Sequence, residues 1–235
     1  GHMSQSFRLY RVQQIDSQLD RIKSRLQEIE ALLKDDEKLR ISRDEYSQAS
    51  EQLQAKQRAL KFAEEQVREQ ILKIEQSEAS LYGGKVRNPK ELQDLQKEAA
   101  ALKRYQSVLE DRQIEAMIAL EEAEAAHQSA LQNYEQTQRA FEQRTAELRQ
   151  EQARLHRELE TTQTERTAAV SGIPEGDLSL YERLRQQRRG LAVAKVSDRA
   201  CSACGSLLNA ALLDAARSPN QLTRCDACGR ILYLG

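Results

Sequence analysis

The four cysteines of this chain lie near its C-terminal end and form two Cys-x-x-Cys pairs with twenty residues between them. They are Cys201, Cys204, Cys225 and Cys228. Two thiolates separated by two residues can bind one metal ion through a tight turn, and two such turns supply four sulfurs at ~2.3 Å around a tetrahedral Zn²⁺. Because four protein ligands leave no coordination position for water, the spacing predicts one structural Zn²⁺ rather than a catalytic metal ion.

Gly205 and Gly229 each follow a cysteine pair, and we expect a positive φ there to direct backbone N–H groups toward the sulfurs. Rubredoxin-like iron is an alternative with the same ligands, but such a core is normally enclosed by aromatic side chains, and only Tyr233 follows the second pair. Disulfides are a further alternative. The chain shows no secretory signal, so we expect a cytoplasmic, reducing setting that favours metal binding.

Basic residues accumulate in the same part of the chain. Residues 181–235 hold nine Lys/Arg and four Asp/Glu, whereas residues 1–180 hold 27 and 33, so their net charges are +5 and −6. The candidate binding residues are Arg183, Arg185, Arg188, Arg189, Lys195 and Arg199. They indicate either contacts with the phosphates of RNA or DNA or a face that packs against the acidic remainder of the chain. Arg224 and Arg230 adjoin the second cysteine pair, where we expect them mainly to offset the negative charge of the metal centre.

No set of residues typical of an enzyme occurs in the sequence. His127 and His156 lie on one predicted helix, and no Ser, Cys or Asp is arranged around them as in a catalytic site. We interpret residues 1–3, which include His2, as a cloning scar. Neither a P-loop nor a glycine-rich phosphate loop is present. Charged residues make up 31% and aromatic residues 4%, which is typical of long helices with narrow contact stripes. We therefore predict that the protein is not an enzyme.

Residues 4–170 are predicted to form a coiled-coil hairpin. Apolar residues recur at spacings of three and four from Ile15 to Leu33 and then at every seventh position from Leu32 to Leu81. The second stripe is shifted by one residue, so we expect the contact to be narrower, more mobile or kinked near the shift. We predict one helix over residues 7–81 and a second helix over residues 89–169.

A turn over residues 82–88 is predicted to separate the two helices. Gly83 and Gly84 can end the first helix, while Asn88 and Pro89 are a favourable cap and first position for the second. Two helices of nearly equal length around a tight turn predict an antiparallel pair, and a parallel dimer of extended chains is the alternative. Folding back should place the C-terminal module beside the N-terminal end of the first helix.

Residues 171–176 are predicted to be a linker, and residues 177–235 a short basic helix followed by a zinc ribbon. We expect Asp177 to cap a helix that continues through Arg188. Further predicted elements are strands at residues 191–196 and 230–234 and a helical turn at residues 209–216. The fold class is therefore mainly α: a long antiparallel coiled-coil hairpin plus a small C-terminal β zinc ribbon. No apolar run approaches the ~20 residues of a membrane helix, so we expect no membrane insertion.

Five stretches of this chain carry a resemblance to a known family. They are Leu81–Val86, Asn88–Leu92, Tyr181–Arg185, Cys201–Cys204 and Cys225–Tyr233. In these stretches the sequence resembles widespread bacterial coiled-coil proteins with a C-terminal C4-type zinc ribbon, a domain of unknown function described as predicted nucleic-acid-binding. Leu207–Ala210 departs from the family pattern, which has a proline-containing stretch there.

The resemblance implies an elongated, kinked helical hairpin with the ribbon at one end. It also implies links, known for some members, to flagellar or type III secretion systems through protein partners such as an alternative sigma factor, and to RNA binding. Together with the residues above, it predicts an adaptor or chaperone-like protein that binds protein partners, in regulation or secretion-related assembly. The alternative is RNA or DNA binding by the basic ribbon. The sequence leaves open whether the hairpin is a monomer or a dimer.

Overall fold

The computed structural model describes residues 3–235, so Gly1 and His2 of the predicted cloning scar lie outside the described residues. This part of the chain forms five helices and one three-stranded sheet. The elements are α1 (Gln5–Lys34), α2 (Glu37–Tyr82), α3 (Pro89–Val170), α4 (Glu175–Gln187), β1 (Val193–Ser197), β2 (Ala200–Cys201), α5 (Ala210–Ala216) and β3 (Ile231–Tyr233). None of these helices is long and apolar enough to cross a lipid bilayer.

The long helices form the predicted hairpin. The helix α2 ends at Tyr82, and α3 begins at Pro89 after a turn in which Gly84 has a φ of +75°. Asn88 caps α3, because its side-chain oxygen accepts a hydrogen bond from the Lys90 N–H at 3.0 Å. The connection between the two helices therefore comprises residues 83–88, whereas Tyr82 of the predicted turn still belongs to α2.

The first long helix is interrupted, so the prediction of one continuous helix over residues 7–81 is wrong. The helix α1 ends at Lys34 and α2 begins at Glu37, with Asp35 in an extended conformation between them. The break lies where the two apolar stripes meet, and aspartate is a weak helix former because its carboxylate can bond the nearby backbone instead. Asp36 is the N-cap residue of α2 and pairs with Arg40, one turn further on, at 3.0 Å, which supports the new helix.

The chain divides into two compact units. One contains the described residues up to Asp35 together with Thr145–Gly235, and the other contains Asp36–Arg144. In the first unit α1 packs antiparallel to α3 through four buried side chains, Ile22, Ile29, Leu148 and Leu155. The Arg25 guanidinium donates two hydrogen bonds to Glu151, at 2.8 and 2.9 Å, and these lower the pKa of the Glu151 carboxyl.

The second unit contains the part of the α2–α3 contact in which few apolar side chains are buried. Its buried apolar side chains are Val67, Ile74, Ala99, Leu109 and Ala123. Gln70 is also buried, and its amide donates to the Leu102 carbonyl of α3 at 2.9 Å. That hydrogen bond satisfies the buried amide nitrogen of Gln70, a polar residue at a contact position where an apolar residue is expected.

The linker between α3 and α4 is shorter than predicted. The helix α4 begins at Glu175 with Pro174 at its N-cap, so the predicted linker at 171–176 includes the first two helical residues. Asp177 consequently lies in the first turn and is not the cap. Proline fixes φ near the value required at a helix start, which explains the earlier beginning.

Candidate metal centre

The two cysteine pairs lie in turns with matching backbone hydrogen bonds. The Cys201 N–H donates to the Ser206 carbonyl at 2.9 Å, and the Gly205 N–H donates to the Cys201 carbonyl at 2.7 Å. In the second turn the Gly229 N–H donates to the Cys225 carbonyl at 2.8 Å. Both glycines have the predicted positive φ, +78° and +74°. Backbone N–H groups do point at sulfur in the first turn, as predicted, but they belong to Ala203, Cys204 and Ser206. The N–H groups of the two glycines bond carbonyl oxygens instead.

The four cysteine sulfurs meet at one point. All lie within 4.8 Å of one another, and the Sγ–Sγ distances are 3.8 Å for Cys201–Cys228 and 3.7 Å for Cys204–Cys225. Four sulfurs at ~2.3 Å from a tetrahedral metal ion are separated by about 3.8 Å, so the distances fit one ion. They are much longer than the ~2.05 Å of a disulfide, and all four cysteines are free. The set can therefore hold a metal ion.

Two of the thiols differ strongly in acidity. Burial raises the pKa of Cys201 to about 12, against hydrogen bonds from the Cys204 and Ala203 N–H groups. Hydrogen bonds from the hydroxyl and the N–H of Ser206 lower the pKa of the exposed Cys204 to about 6. A buried thiolate such as that of Cys201 needs a compensating cation, and coordination to a metal ion provides it.

Aliphatic side chains surround the three buried cysteines. They are Ala194, Leu208, Ala216 and Leu232, with Val196, Ala203, Leu212, Leu213 and Leu234 at the margin. The short helix α5 supplies several of them, and Asn209 caps it by accepting a hydrogen bond from the Leu212 N–H at 2.8 Å. The strands β1, β2 and β3 form a sheet in the order β2-β1-β3, with β1 parallel to β3. The predicted strand at 191–196 overlaps β1, the predicted strand at 230–234 contains β3, and the predicted helical turn at 209–216 contains α5.

A second core joins the ribbon to α1. Leu9 and Val12 of α1 pack with Val193 of β1 and Ile231 of β3, and all four are at most 1% exposed. Tyr233 extends this contact by stacking on Tyr10 with ring centroids 4.8 Å apart. The prediction that folding back places the C-terminal module beside the N-terminal end is confirmed.

The side chain of Gln13 bonds the backbone of β1 at Val193, where β2 does not pair with it. Its amide oxygen accepts hydrogen bonds from the N–H groups of Ala192 at 2.7 Å and Val193 at 2.6 Å, and its amide nitrogen donates to the Val193 carbonyl at 2.8 Å. The side chain of Gln13 is buried in this position. It therefore takes the place that a neighbouring strand would occupy.

Asp16 is the centre of a charged network that fixes α4. Its buried carboxylate accepts hydrogen bonds from the Tyr181 hydroxyl at 2.7 Å and from the Arg166 Nε at 2.6 Å. Arg185 donates to the Asp16 carbonyl at 3.1 Å and pairs with Asp20. Burial, and then the hydrogen bond to Asp16, raise the pKa of Tyr181 above its usual range.

The predicted basic patch is divided by this network. Arg185 is committed to Asp16 and Asp20, so it packs against the acidic part of the chain, which was one of the two interpretations. The other five predicted residues are exposed: Arg183, Arg188, Arg189, Lys195 and Arg199. Arg224 and Arg230 donate to the carbonyls of Gly229 at 2.8 Å and Leu191 at 2.6 Å, which makes them structural residues of the ribbon.

Neither histidine of α3 lies near the cysteines in sequence. His127 of α3 contacts the ring of Tyr46 of α2, with centroids 5.2 Å apart, and so belongs to the hairpin contact. His156 is exposed.

Sequence reasoning missed the residues that hold the ribbon on α1. Gln13 and Asp16 lie in an amphipathic stretch where polar residues are expected to face solvent, so periodicity gives no sign of their burial. A weak signal does exist, because Gln13 and Asp16 follow Leu9 and Val12 by four residues each. Residues four apart lie on the same face of a helix, so both polar residues share the face of the buried Leu9 and Val12.

Comparisons with known proteins agree with this fold. Residues 12–189 match the CT398-like coiled coil hairpin domain. CT398 from Chlamydia trachomatis has a structure similar to this one, with a TM-score of 0.68, 19% identity and coverage of 98% of this chain and 94% of that chain. A structure from Mycobacterium smegmatis has a TM-score of 0.64, 23% identity and coverage of 98% and 97%. A comparison with curated proteins gave no significant match. Since the matched region spans more than half of the sequence, the chain belongs to the family of CT398-like coiled coil hairpin domains.

Proposed function

We propose that this protein is a non-enzymatic adaptor, in which a zinc-bound ribbon and a helical hairpin bind protein partners. The observation that carries the proposal is the closed set of four cysteine sulfurs in a ribbon whose core is shared with α1. Four thiolates around one ion leave no position for a substrate. A domain built in this way supplies binding surfaces rather than a reactive centre.

Zn²⁺ is the ion that we propose for the four cysteines. The sulfur distances suit zinc and iron equally, so the surroundings of the site must distinguish them. The side chains packed around the cysteines are aliphatic, whereas Tyr233 packs in the other core, against α1. This environment lacks the aromatic enclosure expected around rubredoxin-like iron. Metal analysis of the purified protein should give one zinc per chain, and one iron per chain would contradict the assignment.

Exposed apolar side chains on the hairpin support protein partners. Eight large apolar side chains are exposed within two segments of the second unit, residues 62–72 of α2 and 105–118 of α3. They are Phe62, Ile71, Leu72, Tyr105, Val108, Ile114, Met117 and Ile118. Concentrations of exposed apolar surface mark sites of interaction with other proteins.

Quantitative affinity capture from cells that express the protein tests this proposal. The wild type is compared with Ile114→Asp/Ile118→Asp, which disrupts the apolar segment, and with Arg183→Gln, a control at an exposed residue outside it. Circular dichroism checks that each variant remains helical. We expect partners that resist nuclease treatment and are lost only with the double variant. Capture that disappears with nuclease, or that is the same for all three proteins, would contradict the adaptor function.

Nucleic-acid binding is the second candidate function. The exposed positions of Arg183, Arg188 and Arg189 favour it, because exposed cations can contact phosphates. Charge reversal at these three residues should abolish binding of RNA or DNA, and wild-type affinity should fall steeply as salt is raised. Arg185→Glu is not a suitable test, because it would break the network with Asp16. Absence of salt-sensitive binding at low ionic strength would end this candidate.

A further inference from the structure

We propose that a cleft between α1 and the β1–β2 hairpin binds an acidic peptide segment of a protein partner. This proposal rests on the adaptor function and names the chemistry of its partner. The cleft has a volume of about 710 Å³ and is lined on one side by residues 10–21 of α1 and on the other by residues 191–202. Its size lies within the ~300–1,000 Å³ of typical ligand clefts.

Two cations without a carboxylate partner line this cleft. Arg21 comes from α1 and Lys195 from β1, and in the described part of the chain neither forms an ion pair. Lys195 lies over the ring of Tyr10, with its ammonium 5.1 Å from the ring centroid. No aspartate or glutamate is among the residues that line the cleft. In a chain with 37 acidic residues, this leaves a locally positive site that suits an anionic ligand.

The neighbouring charged cleft provides a contrast. It is lined by Asp16, Asp20 and Glu182 as well as by Arg166 and Arg185, and its cations and carboxylates pair with one another. Those residues satisfy each other and hold α4 in place. Arg21 and Lys195 have no such internal role, so their charges are available to a partner.

The uncharged lining suits a peptide bound through its side chains. Gln14, Gln18 and Ser202 supply hydrogen-bonding groups along the cleft. The backbone edge of β1 is not available for adding a strand, because Gln13 occupies it at Val193 and the Ser202 N–H donates to the Lys195 carbonyl at 3.0 Å. Recognition therefore depends on carboxylates that meet the two cations and on amide groups that meet the glutamines.

The aromatic residue of the cleft favours a peptide over a single-stranded nucleic acid. Binding of single strands generally uses aromatic faces on which bases stack. Tyr10 is the aromatic residue in this lining, and its ring is already in contact with Tyr233 and covered by the Lys195 ammonium. The cleft therefore offers charge without a free stacking surface.

Fluorescence anisotropy with labelled octaglutamate tests the proposal on the zinc-loaded full chain at about 50 mM salt, where surface charges are weakly screened. Octalysine and octauridylate are the probes for comparison. The variant Arg21→Gln/Lys195→Gln removes both cations, and Arg58→Gln/Lys61→Gln removes the same charge at two exposed residues of α2, outside the cleft. We expect wild type to bind octaglutamate, the cleft variant to bind it about fivefold or more weakly, and the control variant to match wild type.

Three results would overturn the proposal. They are failure of wild type to bind octaglutamate, equal weakening by the two double variants, and octauridylate binding that depends on Arg21 and Lys195 more than octaglutamate binding does. The last result would assign the cleft to nucleic acid. Affinity capture with the cleft variant separates this proposal from the adaptor function: retention of every nuclease-resistant partner would reject the cleft and leave the adaptor function intact.

Discussion

The bond between Tyr181 and Asp16 should contribute measurably to the docking of α4, and a double-mutant cycle can determine how much. Tyr181 is completely buried and its hydroxyl donates to Asp16 at 2.7 Å. A hydrogen bond to a charged group contributes about 1.5–3 kcal/mol. Asp16 retains Arg166 when the hydroxyl is deleted, so Tyr181→Phe should cost about 1.5–2 kcal/mol, the low end of that range.

Asp16→Ala should cost more than Tyr181→Phe. It leaves the Tyr181 hydroxyl buried without an acceptor and removes the carboxylate that faces Arg166. Breaking a buried ion pair costs about 3–5 kcal/mol, but the Arg166 side chain is 29% exposed and water can solvate part of its charge. We therefore expect about 2–4 kcal/mol for Asp16→Ala.

The double variant decides whether the two effects are coupled. Once Asp16 is replaced, removing the unpaired hydroxyl of Tyr181 should be nearly neutral, so the two costs should fall short of additivity by about 1.5 kcal/mol. Hydrogen exchange of the α4 amides as a function of denaturant measures this free energy without requiring both units to unfold together. Tyr10→Phe is the control, expected within about 0.5 kcal/mol of wild type. Additive costs in the double variant would refute the reasoning.

Three further outcomes follow from the structure. Chelation of zinc should open the ribbon while the hairpin stays helical, which circular dichroism and metal analysis can follow together; complete loss of helix would contradict it. Gly229→Ala should weaken zinc binding more than Gly205→Ala in chelator competition, because both have positive φ but only at Gly229 does an added Cβ meet a side chain, Arg224 Nη2 at 3.1 Å. Burial raises the pKa of Tyr181, so the folded state keeps its hydroxyl protonated. Ionisation of Tyr181 should therefore leave stability unchanged at neutral pH, and stability should fall as pH rises above the usual tyrosine pKa of ~10; Tyr181→Phe should remove this part of the loss in urea titrations at alkaline pH.

Local sequence patterns were sufficient to predict the metal ligands and the hairpin. Two residues between cysteines define a turn that binds one ion, so Cys201 and Cys204 identify their own role before any fold is known. The turn before Pro89 is likewise predictable, because the glycines and the cap act within a few residues. The break at Asp35 was only partly predictable: the shift in the apolar stripe marks its place, but whether the helix bends or stops depends on local backbone bonds.

Tertiary structure alone determined how the ribbon is held and which of its charges are available. Gln13 and Val193 are 180 positions apart, and Asp16 and Tyr181 are 165 positions apart, so no local spacing connects them. Their burial follows from the return of α3 alongside α1, which brings the ribbon against a helix face that would otherwise meet solvent. The same contact pairs Arg185 with Asp20 and leaves Arg21 without an ion pair among the described residues, because an ion pair depends on which carboxylate lies within reach and not on the charge of the segment.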